Sequence, residues 1–472
     1  MSARSFDSIV IGAGPGGYTC AIRLAQLGQK TAVIEKDRWG GVCLNVGCIP
    51  SKALIYASSQ YWKLQNEWEE MGITAKSVAC DLNKMQEWKE GVVKKLTTGV
   101  SGLLKMNQVT QIVGSAIFKD AHTLQVGDET LTAKSIVIAT GSRVIEVPSL
   151  PFNGKNVLSS TEALELKKVP GKMVVIGGGF IGIEIGVVYA KLGSQVTIVE
   201  ALDQILSTID REMVAVAEKK MRKLGIRILT QTKAIGIKGK GIEVDVQGKK
   251  EVLDADIILV SVGRRPNSDA LGLEKIGVKM DPKGNILTDN QSKTNVPGVY
   301  AIGDVAGAPQ LAHRAMMDGQ LVAATIAGEK AHKDYRSVPW AVFCDPEIAV
   351  CGLNEKEATA KGIKYRVGKF PFAASGRALS TNETDGLIKV LVNEKDESIV
   401  GVHIVGPEAS NLIAEAALAI EMGATVEDIV RTIHTHPTLP EAFPEAIEAA
   451  FGKAIHIFKP ATRLERPRDL HA

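Results

Sequence analysis

One pattern occurs twice in the 472 residues and limits what the chain can fold into. An apolar run from Asp7 to Ile11 leads into Gly12-Ala13-Gly14-Pro15-Gly16-Gly17. A helical stretch to Leu27 follows, then a closing Gly28 and a second apolar run from Thr31 to Glu35. The same order returns from Met173 to Ile176, through Gly177-Gly178-Gly179-Phe180-Ile181-Gly182 and a helical stretch to Leu192, to Gly193 and a run from Gln195 to Glu200. In both copies the helix-closing glycine lies 16 residues after the first glycine (12 to 28, 177 to 193) and the acid lies 23 after it (12 to 35, 177 to 200). Each copy reads as strand, glycine loop, helix and strand, the unit that binds a dinucleotide. Glycines at the turn let backbone N–H groups approach a pyrophosphate at the helix N-terminus, where the dipole favours negative charge. Glu35 and Glu200 are placed to accept hydrogen bonds from a ribose 2′-hydroxyl, and a carboxylate there repels a 2′-phosphate. One such loop is a weak signal. Two in the same register, each with its acid, predict two nucleotide-binding units.

Two further apolar runs, Ile136 to Gly141 and Ile257 to Gly263, read as the closing strands of those units, and Val299 to Asp304 again runs into a Gly-Asp turn. From about Pro339 the texture changes to strand-like segments (Leu387 to Val392, Ile399 to Ile404) and an Ala-rich amphipathic helix from Glu408 to Met422. The expected fold is α/β, with two Rossmann-like dinucleotide-binding domains and a carboxy-terminal α+β domain. The expected boundaries are 1–147, 148–275, a central segment 276–338 and a last domain 339–472. Lys and Arg total 56 against 53 for Asp and Glu, without blocks of like sign, so nothing favours nucleic acid or a membrane surface as partner. No apolar run reaches the length of a membrane span, and the glycines after Asp7 break the only signal-like stretch. A cytoplasmic location is expected, with a mature organellar form equally compatible.

Six cysteines are too sparse for a disulfide scaffold, so any working pair is redox-active or metal-binding. Cys43 and Cys48 stand in Gly40-Gly41-Val42-Cys43-Leu44-Asn45-Val46-Gly47-Cys48-Ile49-Pro50-Ser51-Lys52. Five positions apart on a regular helix, they point about 140° from each other, so a bridge needs a distorted segment, and Gly47 is the place for one. A metal site wants a second ligand cluster, which Cys20, Cys80, Cys344 and Cys351 do not offer at suitable spacing. Those four read as buried apolar residues.

The string from Gly40 to Lys52 resembles the active-site signature of the FAD-dependent pyridine nucleotide-disulfide oxidoreductases, and the likeness extends over essentially the whole chain. It is strongest to the branch that oxidises protein-bound dihydrolipoyl groups with NAD+. The resemblance implies FAD on the first unit and NAD on the second. Cys43 is then the interchange thiol and Cys48 the thiol beside the flavin, with Lys52 next to the flavin and paired with Glu184. The FAD site is implied at Gly12, Gly14, Gly17, Glu35, Lys52, Ala116, Thr140, Gly141, Ser142 and Asp304, with Asp304 binding the ribityl chain and Leu311, Ala312 and His313 forming the turn under the flavin. The NAD site is implied at Gly177, Gly179, Ile181, Gly182, Glu184, Glu200 and Gly263. No metal is implied.

Near the carboxy terminus stands Ile433-His434-Thr435-His436-Pro437-Thr438-Leu439-Pro440-Glu441. A thiol attacks a disulfide as thiolate and is mostly protonated at neutral pH, so this chemistry needs a base, and histidine suits it. By the resemblance His436 is that base, held by Glu441 and serving the cysteine pair of a second copy, which implies an obligate homodimer. Lipoyl domains of 2-oxoacid dehydrogenase complexes, or the carrier protein of glycine cleavage, are the implied partners. Thr438 to Glu441 also fits a capping box, compatible with the first role, and His434 reads as structural. Thr435, Pro440 and Asp345 depart from the family's usual Ala, Ser and His. Glutathione, mercuric and large thioredoxin reductases are the rivals within the family. Glu200 and the lack of cysteine after Cys351 count against them. A redox-inert FAD-binding subunit is the alternative outside enzymology.

Overall fold

The computed structural model describes residues 4–458. The described residues separate into two compact units, one made of the segment ending at Ile205 together with Gly225–Asp334, the other of Leu206–Leu224 with residues 335–458.

The first unit contains both nucleotide folds. In one sheet the strands run in the order Thr110–Val113, Thr31–Glu35, Arg4–Ile11, Glu129–Ile138, Thr123–Val126, Ala116–Asp120, with Val299–Ala301 also pairing Glu129–Ile138. The central strands are parallel and buried on both faces, which is why they are written as unbroken apolar runs such as Thr31–Glu35 rather than alternating ones. The second fold is a parallel sheet in the order Arg227–Leu229, Gln195–Val199, Lys172–Ile176, Ile257–Val260, Val157–Leu158. Helices Pro15–Gln26 and Phe180–Lys191 are the two repeat helices, and each ends at a glycine with positive φ, Gly28 at +81° and Gly193 at +105°. Strands expected to run to Gly141 and Gly263 stop at Ile138 and Val260, because those glycines turn the chain with φ of +69° and +133°.

The second unit is a five-stranded antiparallel sheet in the order Trp340–Val342, Glu347–Gly352, Ile399–Gly406, Leu387–Asn393, Tyr365–Pro371. Helices Ala409–Met422 and Ala442–Ala449 pack on it. A Cβ at Gly368 would lie 1.8 Å from the Ala446 carbonyl, so the close seating of the last helix requires glycine there. One segment departs from the expected boundaries. Helix Arg211–Lys223, inside 148–275, belongs to this second unit. It buries Met213, Val214, Ala217 and Met221 and packs on strands Glu347–Gly352 and Ile399–Gly406. Asp210 at its start is an ion-pair partner of Lys389, which is 1% exposed. That attachment is a tertiary contact between residues far apart in sequence, so local pattern could not place it. No helix among the described residues is long and apolar enough to cross a membrane.

Candidate active site

The two glycine loops have the same geometry. The Gly12 amide donates to the Ile34 carbonyl at 2.7 Å and the Gly177 amide to the Val199 carbonyl at 2.9 Å, with φ of +101° and +103°. A Cβ at Gly17 would sit 1.9 Å from the Gly12 oxygen, and one at Gly182 2.5 Å from the Gly177 oxygen. Gly14 and Gly179 cap their helices without a side chain, so amides at both helix starts remain for an anionic ligand. The acids also match. Glu35 accepts from the Ala13 amide at 2.7 Å and the Asp37 amide at 2.9 Å, and Glu200 from the Gly178 amide at 2.7 Å and the Leu202 amide at 2.8 Å. Each carboxylate is thus fixed at the strand end, with lone pairs left for ribose hydroxyls.

The first loop opens into a cavity of about 590 Å³, a size suited to a cofactor. Of the residues expected around FAD, its wall contains Gly12, Gly14, Glu35, Ala116, Thr140, Gly141, Ser142, Asp304 and Ala312. Gly17 is buried beneath the loop, Leu311 is the N-cap of helix Ala312–Ile326, and His313 lies in its first turn. Cys43, Cys48 and Lys52 line the same cavity, as do Ile181 and Glu184 from the start of the second repeat helix. Gly177, Gly179, Gly182 and Glu200 form the second loop, and Gly263 turns the chain after strand Ile257–Val260. The residues fit both cofactors: glycine cradles at two helix starts, an acid at each strand end, and a cavity lined by the first loop and by Ile181 and Glu184 of the second repeat helix.

The cysteine pair spans a break in the helix. Gly41–Val46 is helical, Gly47 departs with φ −141° and ψ −110°, and Cys48 begins helix Cys48–Asn66. Both thiols are free, and they hydrogen-bond to each other. That bond, together with the Lys52 ammonium, pulls the Cys48 thiol down to about 7 against the opposing effect of burial. The same bond, with burial, pushes the Cys43 thiol up. Lys52 Nζ donates to Glu184 Oε2 at 2.8 Å, joining the redox helix to the second repeat helix through a carboxylate that is almost fully buried.

In the second unit, His436 Nδ1 lies 2.8 Å from Glu441 Oε1, while Glu441 Oε2 accepts from the Thr438 amide at 2.6 Å. The carboxylate therefore holds the imidazole and caps the turn before helix Ala442–Ala449 at once. The Thr438 hydroxyl donates to the Thr435 carbonyl instead of completing a capping box. Burial opposes ionisation of Glu441, but the Thr438 amide and His436 outweigh it and hold the carboxyl below the usual range. His434 is engaged at both ring nitrogens, by the Thr432 carbonyl and by Glu415, in keeping with a structural part.

Sequence reasoning missed Arg264, which also lines the cavity. It missed Arg143 as well, whose Nη1 donates to Asn267 Oδ1 at 2.9 Å. A charged residue directly after a buried strand and its glycine was the available signal for Arg264.

The comparisons with known proteins agree with this geometry. The pyridine nucleotide-disulphide oxidoreductase family matches residues 6–319, and the dimerisation domain of the same family matches residues 338–447. A dihydrolipoyl dehydrogenase of Geobacillus stearothermophilus is 51% identical over 459 residues, 96% of this chain and 97% of that protein. Another, of Haloferax volcanii, is 46% identical over 467 residues, 96% and 98% of the two chains. Among solved structures, LpdA of Mycobacterium tuberculosis superposes with a TM-score of 0.86 at 26% identity, covering 93% of this chain and 99% of that one. The HOCl-induced flavoprotein disulfide reductase RclA of Escherichia coli does so with 0.83 at 27% identity, covering 94% and 99%.

Proposed function

The chain belongs to the pyridine nucleotide-disulphide oxidoreductases, and from that premise we propose that it acts as a dihydrolipoyl dehydrogenase, oxidising a protein-bound dihydrolipoyl group with NAD+ as acceptor. The observation that carries this reading is one cavity lined together by Cys43, Cys48, the Lys52–Glu184 pair, the first glycine loop and the start of the second repeat helix. FAD, when bound there, supplies a two-electron acceptor beside Cys48 and a donor to NAD+.

The protein's own part is thiol–disulfide exchange. In the oxidised pair, His436 of the partner subunit takes a proton from one substrate thiol. The resulting thiolate attacks Cys43 Sγ, the Cys43–Cys48 bond breaks, and its electron pair leaves on Cys48. The second substrate sulfur then attacks the substrate sulfur of the mixed disulfide, closing the cyclic lipoyl disulfide, and its proton passes to the departing Cys43 sulfur. Attack at Cys43 makes Cys48 the leaving sulfur, and the Lys52 ammonium beside it favours its departure as thiolate. Glu441 holds Nδ1–H of His436, which leaves the Nε2 lone pair for the substrate proton. Lys52 keeps positive charge near the departing Cys48 thiolate. Glu200, fixed by two amides, favours a free ribose 2′-hydroxyl and disfavours the 2′-phosphate of NADP.

The roles of Leu311, Ala312, His313, Ala116 and Gly263 in cofactor contact, and the four-segment division at 147, 275 and 338, are part of the same reading. So are a homodimer working in the cytoplasm and lipoyl domains of 2-oxoacid dehydrogenase complexes or of glycine cleavage as partners. Anaerobic dihydrolipoamide is expected to raise the long-wavelength thiolate–flavin band of the purified protein and, with NAD+, to give rapid NADH formation. No turnover with NAD+, or preference for glutathione disulfide with NADPH, overturns it.

A further inference from the structure

Arg264 leaves the second nucleotide fold and reaches the first cofactor site. Its strand, Arg264–Pro266, pairs antiparallel with Ser142–Val144, so it is held against the turn that follows strand Glu129–Ile138. Arg264 Nε donates to Ser142 Oγ at 2.8 Å, and Nη2 donates to the Ser142 carbonyl at 2.7 Å. A guanidinium has donors and no acceptor, so the Ser142 oxygen must accept from it. The single O–H of Ser142, 3% exposed, is thereby directed to its other neighbour, Asp304 Oδ2, at 2.5 Å. We propose that Arg264 is a positioning residue of the FAD site: acting through Ser142, it commits one oxygen of the Asp304 carboxylate and presents the other to the hydroxyls of the cofactor's polyol chain.

Three observations agree with this. Arg264, Ser142 and Asp304 all line the one cavity. Arg264 is half-buried, its hydrogen bonds go to Ser142, and the Asp304 charge lies near enough to act on it. Asp304 is carried on the short turn Gly303–Ala306, and its carboxylate accepts from the Ser142 hydroxyl. Because Arg264 belongs to the exit strand of the second fold, that fold sets the geometry of the first cofactor's acceptor.

The inference rests on the reading of Asp304 as the polyol acceptor, and the test separates the two. FAD release from holoprotein into a flavin-binding trap is followed by flavin fluorescence for the wild type, Arg264→Met, Arg264→Lys, Ser142→Ala, Asp304→Asn and the Arg264→Met/Ser142→Ala double variant, with visible flavin spectra recorded for each. Loss of one hydrogen bond to a charged group corresponds to roughly a tenfold faster release. That acceleration is expected for Arg264→Met and for Ser142→Ala. The double variant is expected to be no faster than the faster single, since the residues act in series, and Arg264→Lys to recover part of the loss. Both single variants should blur the fine structure of the visible flavin band. Wild-type release from Arg264→Met, or penalties that add in the double variant, overturns the relay. Wild-type release from Asp304→Asn overturns the reading of Asp304 and the relay with it. Should Arg264→Met not fold, Arg264→Lys decides: release faster than wild type supports the relay, and wild-type release overturns it.

Discussion

Replacing Glu441 by Gln tests the base more sharply than removing it. Glu441 uses its two oxygens differently: Oε1 meets His436 Nδ1 at 2.8 Å and Oε2 accepts the Thr438 amide at 2.6 Å. In Glu441→Gln the amide oxygen is needed where the Thr438 N–H points, which turns the NH2 group toward Nδ1. A donor there forces the imidazole into the tautomer with its proton on Nε2, and the lone pair that takes the substrate proton is lost. Glu441→Ala removes only the hydrogen bond. A bond to an ionised group contributes about 1.5–3 kcal/mol. Here His436 is 80% exposed and Glu441 33%, so screening places the effect at the low end, roughly tenfold in rate. The expected order of kcat with dihydrolipoamide is therefore wild type, then Glu441→Ala about tenfold lower, then Glu441→Gln about a hundredfold lower or more, set by the tautomer. FAD content and the KM for NAD+ should not move, because neither site includes this residue. Steady-state NADH formation measures all three proteins. A Glu441→Gln protein that keeps more than half the wild-type kcat, or one more active than Glu441→Ala, refutes the tautomer argument.

Cys43→Ser should abolish dihydrolipoamide oxidation while FAD stays bound, since the interchange sulfur is removed and the glycine cradle untouched; activity above background with full flavin content contradicts the assignment. Gly17→Ala and Gly182→Ala should separate the cofactors, because the added Cβ meets the Gly12 oxygen at 1.9 Å in one and the Gly177 oxygen at 2.5 Å in the other. The first should be purified without flavin, the second yellow but with a much raised KM for NAD+; equal flavin loss in both would show that the loops are not independent. Burial outweighs the Leu353 carbonyl and the Asp210 carboxylate and holds the His403 imidazole below its ordinary value of 6.5, with Lys389 also facing it. Between the two values the unfolded chain binds more protons than the native one, so stability is present above 6.5 and falls as pH drops through it. Thermal unfolding of the second unit should show that decline, and His403→Gln should flatten it; an equally steep decline in the variant points to another group.

Much of the site was legible because it is local. The 16- and 23-residue spacings fixed both loops, both helix-closing glycines and both acids, since each unit is a continuous strand–loop–helix–strand segment whose glycines are demanded by backbone approach. The break at Gly47 between the two cysteines was readable for the same reason, as was the double use of Glu441, which lies three residues from its capping partner and five from its histidine. Residues whose partners are remote in sequence were not. Lys52 meets Glu184 across 132 positions and Ser142 meets Asp304 across 162, and only a resemblance to a known family, or the folded chain, joins such pairs.

Taken alone, then, the sequence determined the two nucleotide loops and the acids at their strand ends, because each is written within one βαβ unit, while the parts given to Cys43, Cys48, His436 and Glu441 came from the resemblance to the family. The tertiary structure decided that helix Arg211–Lys223 joins the carboxy-terminal sheet, where its apolar face packs on strands Glu347–Gly352 and Ile399–Gly406 and Asp210 meets the buried Lys389. It also brought Arg264 of one fold into hydrogen bonding with Ser142, which meets Asp304 of the other. Both outcomes depend on burial and hydrogen bonds between segments more than a hundred residues apart, and such contacts leave no period or spacing in the chain.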